Sequence, residues 1–249
     1  MKTLSIINLK GGVGKTTTTA ALAYLMAQGG KKVLILDNDK QGNISRTFER
    51  FSEDDRMGSM YVLKEADAKP CVKNTKYENI DIVSCNLTME SAARDVLMET
   101  SRTQHDRYSR ALGEIGGNYN YCIIDNPPDI GMNVINALIA SDEIMIPVNL
   151  DNWSLDGLEL LVSQIKQITV LNPNAKLAGV LITNYEKTKT AEAAERWLRE
   201  RSGLPVFKTK IRHSKAAIDS TIYHKPVPEY SARCGAAKDY RELLGEYAI

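Results

Sequence analysis

Cysteine is sparse and scattered in this 249-residue chain: Cys71, Cys85, Cys122 and Cys234 stand far apart, with no C-x-x-C pair. That spacing argues against a zinc site or a surface-bridging iron–sulfur cluster, and fits a reduced protein with buried or idle thiols. No apolar run reaches the ~18 residues of a membrane span, and the first residues form no signal peptide, so a cytoplasmic protein is expected. Net charge is only +1, so total charge points to no partner class. There is no internal repeat, low-complexity tract or convincing linker, which makes one domain over residues 1–249 the simplest division.

What is present is a series of short, nearly continuous apolar runs. TLSIINL (3–9), KKVLILDND (31–39), YNYCIIDNPP (119–128), EIMIPV (143–148) and KLAGVLITNY (176–185) read as buried strands. Helical patterns separate them, over 16–28, 88–97, 103–115, 132–140, 154–170, 190–202 and 235–247. Strands without alternation are buried on both faces, so the expected fold is α/β, a doubly wound, mostly parallel sheet with helices on both faces. In such a sheet ligands bind at the carboxyl ends of the strands.

The first strand runs into KGGVGKTTTT (10–19). This nearly fits G-x-x-x-x-G-K-[ST], the phosphate loop of P-loop NTPases, except that Leu9 occupies the place of the first glycine. Gly11, Gly12 and Gly14 let backbone N–H groups approach phosphate at the positive end of the following helix. Lys15 can reach the β- and γ-phosphates, and the Thr16 hydroxyl can bind Mg²⁺. A chance glycine turn is the alternative, and this many ordered matches arise by accident in roughly one chain of this length in 10⁵.

K-G-G-x-G-K-T-T resembles the deviant Walker A signature of the ParA/MinD family of ATPases. The resemblance extends the phosphate cradle over Lys10, Gly11, Gly12, Val13, Gly14, Lys15, Thr16 and Thr17. It implies that Lys10 acts as the family's signature lysine, reaching a partner subunit's phosphates in a nucleotide-sandwich dimer. A second cation supplied in trans would stabilise the transferring phosphoryl group and tie catalysis to dimerisation. VLILDNDKQGN (33–43) resembles the family's D-x-D-P-Q-G-N motif, with Lys40 in place of proline. By that likeness Asp39 positions the attacking water and Asp37 supports the magnesium shell. YCIIDNPPDIG (121–131) resembles Walker B and the switch, D-x-P-P-x-x-G, so Asp125 would hold the metal. Asn126 and Asp129 depart from the commoner residues there. ITNY (182–185) puts Asn184 where relatives hydrogen-bond adenine; an Asx turn is the alternative use of that residue. ATP and Mg²⁺ are the cofactors so implied.

The family divides by cargo. MinD-type members end in a basic amphipathic helix that lies on a membrane, whereas AAKDYRELLGEYAI here carries mixed charge. Cluster-binding cysteines, a terminal tyrosine cluster and an N-terminal DNA-reading domain are likewise not in evidence. The C-terminal third instead resembles short chromosomal-type (Soj-like) ParA proteins, through Ile211–Arg212–His213–Ser214, His224–Lys225–Pro226 and Ser231–Ala232–Arg233–Cys234–Gly235–Ala236. Residues 208–241 hold eight Lys/Arg against three acids, a basic segment hidden by the net charge. Arg212 is the foremost expected DNA contact, followed by Lys210, Lys215, Arg233, Lys238 and Arg241. Single-strand binding by base stacking is not the favoured reading of this segment, and duplex DNA is the expected partner. The resemblance implies a nucleoid-associated partition ATPase: an ATP-bound homodimer holds DNA non-specifically until a ParB-like partner stimulates hydrolysis. A MinD-like positioning ATPase, and a metabolic ligase on the same scaffold, are the competing expectations.

Overall fold

The computed structural model describes residues 1–150 and 152–247, with side-chain surroundings for all of these except 152–156. The N-terminal half runs β1 (Lys2–Ile6), α1 (Lys15–Gln28), β2 (Val33–Asp37), α2 (Asn43–Thr47), α3 (Ser59–Glu65), β3 (Val72–Asn74), β4 (Ile80–Val83), α4 (Thr88–Met98) and α5 (Arg107–Ile115). It continues with β5 (Tyr121–Asp125), α6 (Met132–Ile139), β6 (Glu143–Asn149), α7 (Asn152–Ile168), β7 (Lys176–Tyr185) and α8 (Lys189–Arg201). The last third adds β8 (Val206–Arg212), α9 (Lys215–Ile222), α10 (Val227–Tyr230) and α11 (Gly235–Tyr247).

The eight strands form one sheet in the order β3-β4-β2-β5-β1-β6-β7-β8. Only the β3–β4 pair is antiparallel; the others are parallel, as the double-sided burial of their Val, Ile and Leu residues requires. One face carries α1 and α11, through Ala20, Leu22, Ala236 and Leu243. The opposite face is covered by α3, α4 and α5, through Val62, Val96, Tyr108 and Leu112. All seven expected helices and five expected strands appear, with bounds shifted by a few residues at most of their ends.

The largest shift matters for the site. β1 stops at Ile6 rather than running to Leu9. The Ile7 N–H still reaches Met145 O (3.1 Å), and the Asn8 amide then donates to Pro147 O (2.7 Å) and accepts from the Lys10 N–H (2.9 Å). Asn8 therefore ends the strand by offering the backbone another partner. Leu9 packs against the β6–β7 core, so the position that the general motif gives to glycine is an apolar anchor here.

Three strands escape a reading of the sequence. β3 and β4 are short. β8 is an edge strand whose alternation is hidden because Phe207 and Ile211 point inward between Lys208, Lys210 and Arg212. The basic segment thus begins on a strand rather than in a loop.

Beneath the strand ends lies a buried amide network. Tyr108 Oη donates to Asn38 Oδ1 (2.8 Å), Asn38 Nδ2 donates to Asn126 Oδ1 (2.8 Å), and Asn133 Nδ2 donates to Asn38 O (3.0 Å). It joins α5 and α6 to the segments following β2 and β5. Tyr108→Phe strands the Asn38 carbonyl in a dry site, so the expected loss of unfolding free energy is about 1–3 kcal/mol. Urea denaturation measures it; an unchanged midpoint would show that the network carries no stability.

Candidate functional site

Sheet register decides the arrangement of acids. Asp125 at the end of β5 lies opposite Ile6 on one side and Asp37 on the other. Two carboxylates are thus side by side at the centre of the sheet, both buried. The loop after β1 passes over them into α1, whose first turn starts at left-handed Gly14 (φ 82°), a conformation that a side chain would strain.

Thr16 Oγ1 donates to Asp125 Oδ2 (2.7 Å) and Thr19 Oγ1 donates to Asp125 Oδ1 (3.1 Å). Burial pushes the Asp125 carboxyl up to about 7, against the opposing influence of these two hydroxyls and of Lys15. Lys15 is buried, and its ammonium donates to Lys10 O (3.0 Å). Burial pulls Lys15 below the ordinary lysine range, while Asp125, Asp39 and Asp129 pull it back. Thr183 Oγ1 at the end of β7 donates to Val13 O (2.8 Å), steadying the loop from the other side.

Asp37 is placed differently from Asp39. Its Oδ1 accepts from the Asp39 N–H (3.1 Å), and its Oδ2 from the Ser45 N–H (3.1 Å) and Ser45 Oγ (2.5 Å). Burial, then the neighbouring Asp125, raises the Asp37 carboxyl well above the usual range. Asp37 thereby fixes the turn that presents Asp39, and Ser45 is its unanticipated partner. Asp39 lines a cavity of about 490 Å³ with Gly12, Lys15, Thr16, Thr17 and Asn184. Lys10, though half-buried at the loop's start, is not among the residues lining this cavity.

Asn184 adopts a left-handed conformation (φ 49°), which asparagine tolerates better than most residues. Its amide approaches Asn149 Oδ1 (3.2 Å) and Gly12 O (3.4 Å) at the cavity's edge. The departures from the family pattern are locally accommodated. Lys40 pairs with Glu90 of α4 (2.9 Å), Asn126 joins the buried amide network, and Asp129 is exposed.

Among the described residues no group of three or more His, Cys, Asp or Glu could hold a metal by itself. Magnesium needs less, because it keeps waters and takes one or two protein oxygens beside phosphate oxygens. The Thr16 hydroxyl and the Asp125 carboxylate, already 2.7 Å apart, are such a pair.

The six basic residues expected to contact DNA separate into two sets. Arg212 is bound to the buried Asp239, and Lys210 to Glu195 (2.7 Å) over the Tyr185 ring. Arg212 stays 57% exposed despite that pair, and Lys215, Arg233, Lys238 and Arg241 are exposed as well. Arg241 donates to Ala232 O (2.7 Å), which brings Arg233, Lys238 and Arg241 together around the start of α11.

An AAA-domain family model matches residues 1–178. The chain is 33% identical to the sporulation initiation inhibitor protein Soj of Bacillus subtilis, over 99% of this chain and 98% of that one. It is 30% identical to the chromosome-partitioning ATPase Soj of Treponema pallidum, over 98% and 96%. The chain belongs to the ParA/MinD family of ATPases. Its fold agrees: McdA from Cyanothece superposes with a TM-score of 0.89 at 22% identity, over 100% of both chains. Among the described residues no helix is long and apolar enough to cross a membrane.

Within this family site, the Asp125 carboxylate has a consequence for stability without nucleotide or Mg²⁺. The folded chain holds its proton up to about 7, whereas an unfolded aspartate releases it near ~4. Stability from this group is therefore fullest below ~4 and is lost as pH rises to about 7. Asp125→Asn removes that dependence. Its stability relative to the native chain is expected to improve across that window by about 1–4 kcal/mol, read by urea denaturation at several pH values. A difference constant with pH would contradict the assignment.

Proposed function

We propose that this chain is an ATP- and Mg²⁺-dependent partition ATPase. Its ATP-bound dimer holds double-stranded DNA non-specifically and releases it after hydrolysis stimulated by a ParB-like, centromere-binding partner. The observation that carries this reading is one cavity lined by Gly11, Gly12, Gly14, Lys15, Thr16, Thr17 and Asp39, with buried Asp125 bound to Thr16 and exposed basic residues in the C-terminal third of the same chain. The partitioning role named for the Treponema relative supports it. Such a protein works in the cytoplasm on the nucleoid.

The residues divide the work by position. Backbone N–H groups of residues 11–17 and the Lys15 ammonium hold the phosphates. Thr16 and Asp125 hold Mg²⁺, which neutralises charge on the phosphate oxygens. Asp39, fixed by Asp37, orients the attacking water, and Asn184 reads the adenine edge. Lys10 acts on the partner subunit's phosphates, so each site is finished only in the dimer. Turnover by the chain alone is slow for that reason, since positioning and charge stabilisation supply most of the catalysis.

DNA contact falls to Arg212, Lys215, Arg233, Lys238 and Arg241, whose side chains are exposed, with Lys210 next to Arg212 on β8. Duplex DNA is expected to shift in a mobility assay with ATP and Mg²⁺, and not with ADP. Replacing Arg233, Lys238 and Arg241 together with alanine should leave ATP affinity unchanged. It should flatten the dependence of log K on log salt by about 0.9 for each phosphate no longer neutralised. An unchanged salt slope would move the DNA surface elsewhere, and binding to anionic liposomes without binding to DNA would overturn the partition reading.

A further inference from the structure

A second cavity, of about 320 Å³, adjoins the nucleotide cavity. Thr16, Thr17, Asn43 and Thr221 line both. The two therefore meet at the first turn of α1, where the glycine loop offers its N–H groups to phosphate. Helices α1, α2 and α9 and the turn into α10 form the walls of the second cavity.

Its charge is one-sided. Arg46 and Lys225 line it together with His224, and among the described residues no aspartate or glutamate does. Lys225 is paired with Glu229 (3.0 Å), whose other oxygen accepts from the Tyr77 hydroxyl (2.6 Å). Arg46 is exposed and lies over the Phe51 ring (3.4 Å), which orients its guanidinium without neutralising it. Glu49, the acid whose charge is felt by His224, is bound to Lys76 (2.6 Å). His224 is exposed and offers a ring N–H in either protonation state.

Most of the wall's hydroxyls are already used. Thr47, Ser220 and Thr221 donate to Asn43 O (3.0 Å), Ala217 O (2.8 Å) and Ile218 O (2.7 Å), and Thr16 donates to Asp125. The donors left for a ligand are chiefly those of the basic side chains, which select a small anion. At ~30 Å³ per water the cavity has room for about ten waters. An anion can therefore enter with part of its hydration shell and be held loosely.

We propose that this cavity is a second anion site that takes inorganic orthophosphate, and that it receives the phosphate cleaved from ATP before that product leaves. The product role rests on the ATPase reading; the anion site does not. On the paired reading a partner subunit reaches over the nucleotide cavity, so a route inside the subunit lets phosphate depart while the dimer is closed.

The test titrates orthophosphate into the full chain saturated with Mg²⁺ and a non-hydrolysable ATP analogue, which fills the phosphate loop, and follows it by phosphorus NMR. The native chain is expected to bind orthophosphate with a Kd on the order of 1 mM. Joint replacement Arg46→Ala and His224→Ala should weaken that binding about tenfold, with analogue affinity and the mobility shift of duplex DNA unchanged. In ATP turnover, inhibition by orthophosphate that added ATP does not relieve should weaken by the same factor. Equal orthophosphate binding by the native chain and the double variant would overturn the anion site, as would binding that the analogue abolishes. Lost DNA binding with intact orthophosphate affinity would overturn it in favour of a nucleic-acid contact. Turnover indifferent to orthophosphate would overturn the product role. Failure of the ATPase reading shows separately, as a chain that does not bind the analogue; the product role then falls, and the double variant's effect on orthophosphate still decides the anion site.

Discussion

The arrangement depends on a carboxylate in the middle of the sheet accepting hydrogen bonds from the first turn of the helix above it. Asp125 sits on β5 between β1 and β2, and Thr16 and Thr19 bind it from α1. A lone ionised carboxylate in that position would be strongly disfavoured, and two hydroxyl donors and a nearby ammonium offset only part of the cost. The remaining bias toward the protonated form is what a bound cation would remove. The same contacts fix the height of α1 over the strand ends, and so the place where the glycine loop offers its N–H groups. Asp37, one strand over, uses its oxygens differently and shapes the turn bearing Asp39. Two acids that look equivalent in sequence are therefore a contact for the site and a support for it.

A second layer keeps these strand ends rigid. Asn38 and Asn126 follow Asp37 and Asp125, and their side chains bind one another under the switch segment. Tyr108 and Asn133 close the network from α5 and α6. In this chain the asparagine that replaces the commoner Cys or Thr is a structural tie, which explains why it sits with its side chain inward. The Lys40–Glu90 pair lies at the surface, where such pairs contribute little to stability. Lys40 is accommodated without being a fastening.

Most of the sheet is legible in the sequence, because double-sided burial leaves long apolar runs and phosphate binding leaves a glycine pattern. The exceptions have physical causes. β8 is concealed by lysines on its outward positions, although Phe207 and Ile211 carry the inward signal. β1 looks longer than it is because Leu9 is apolar for packing reasons, not strand ones. Ser45 and Thr19 cannot be anticipated as site supports, since their partners are set by tertiary placement. Arg212 is a different case. Its charge is legible, but only the structure reveals that Asp239 already holds it.

The loop also explains its two lysines by separating them. Lys15 is buried under the loop and bound to the backbone carbonyl of Lys10, whereas the Lys10 side chain does not line its own cavity. On the proposed reading each site borrows Lys10 from the other subunit. Mixing Lys10→Ala chains with Asp39→Ala chains tests this most directly, by ATP turnover. Each variant alone is inactive, but a mixed dimer rebuilds one complete site from the Asp39 of one subunit and the Lys10 of the other. Random pairing then restores about a quarter of native turnover. A mixture as inactive as its components would place Lys10 in its own subunit's site and contradict the paired mechanism.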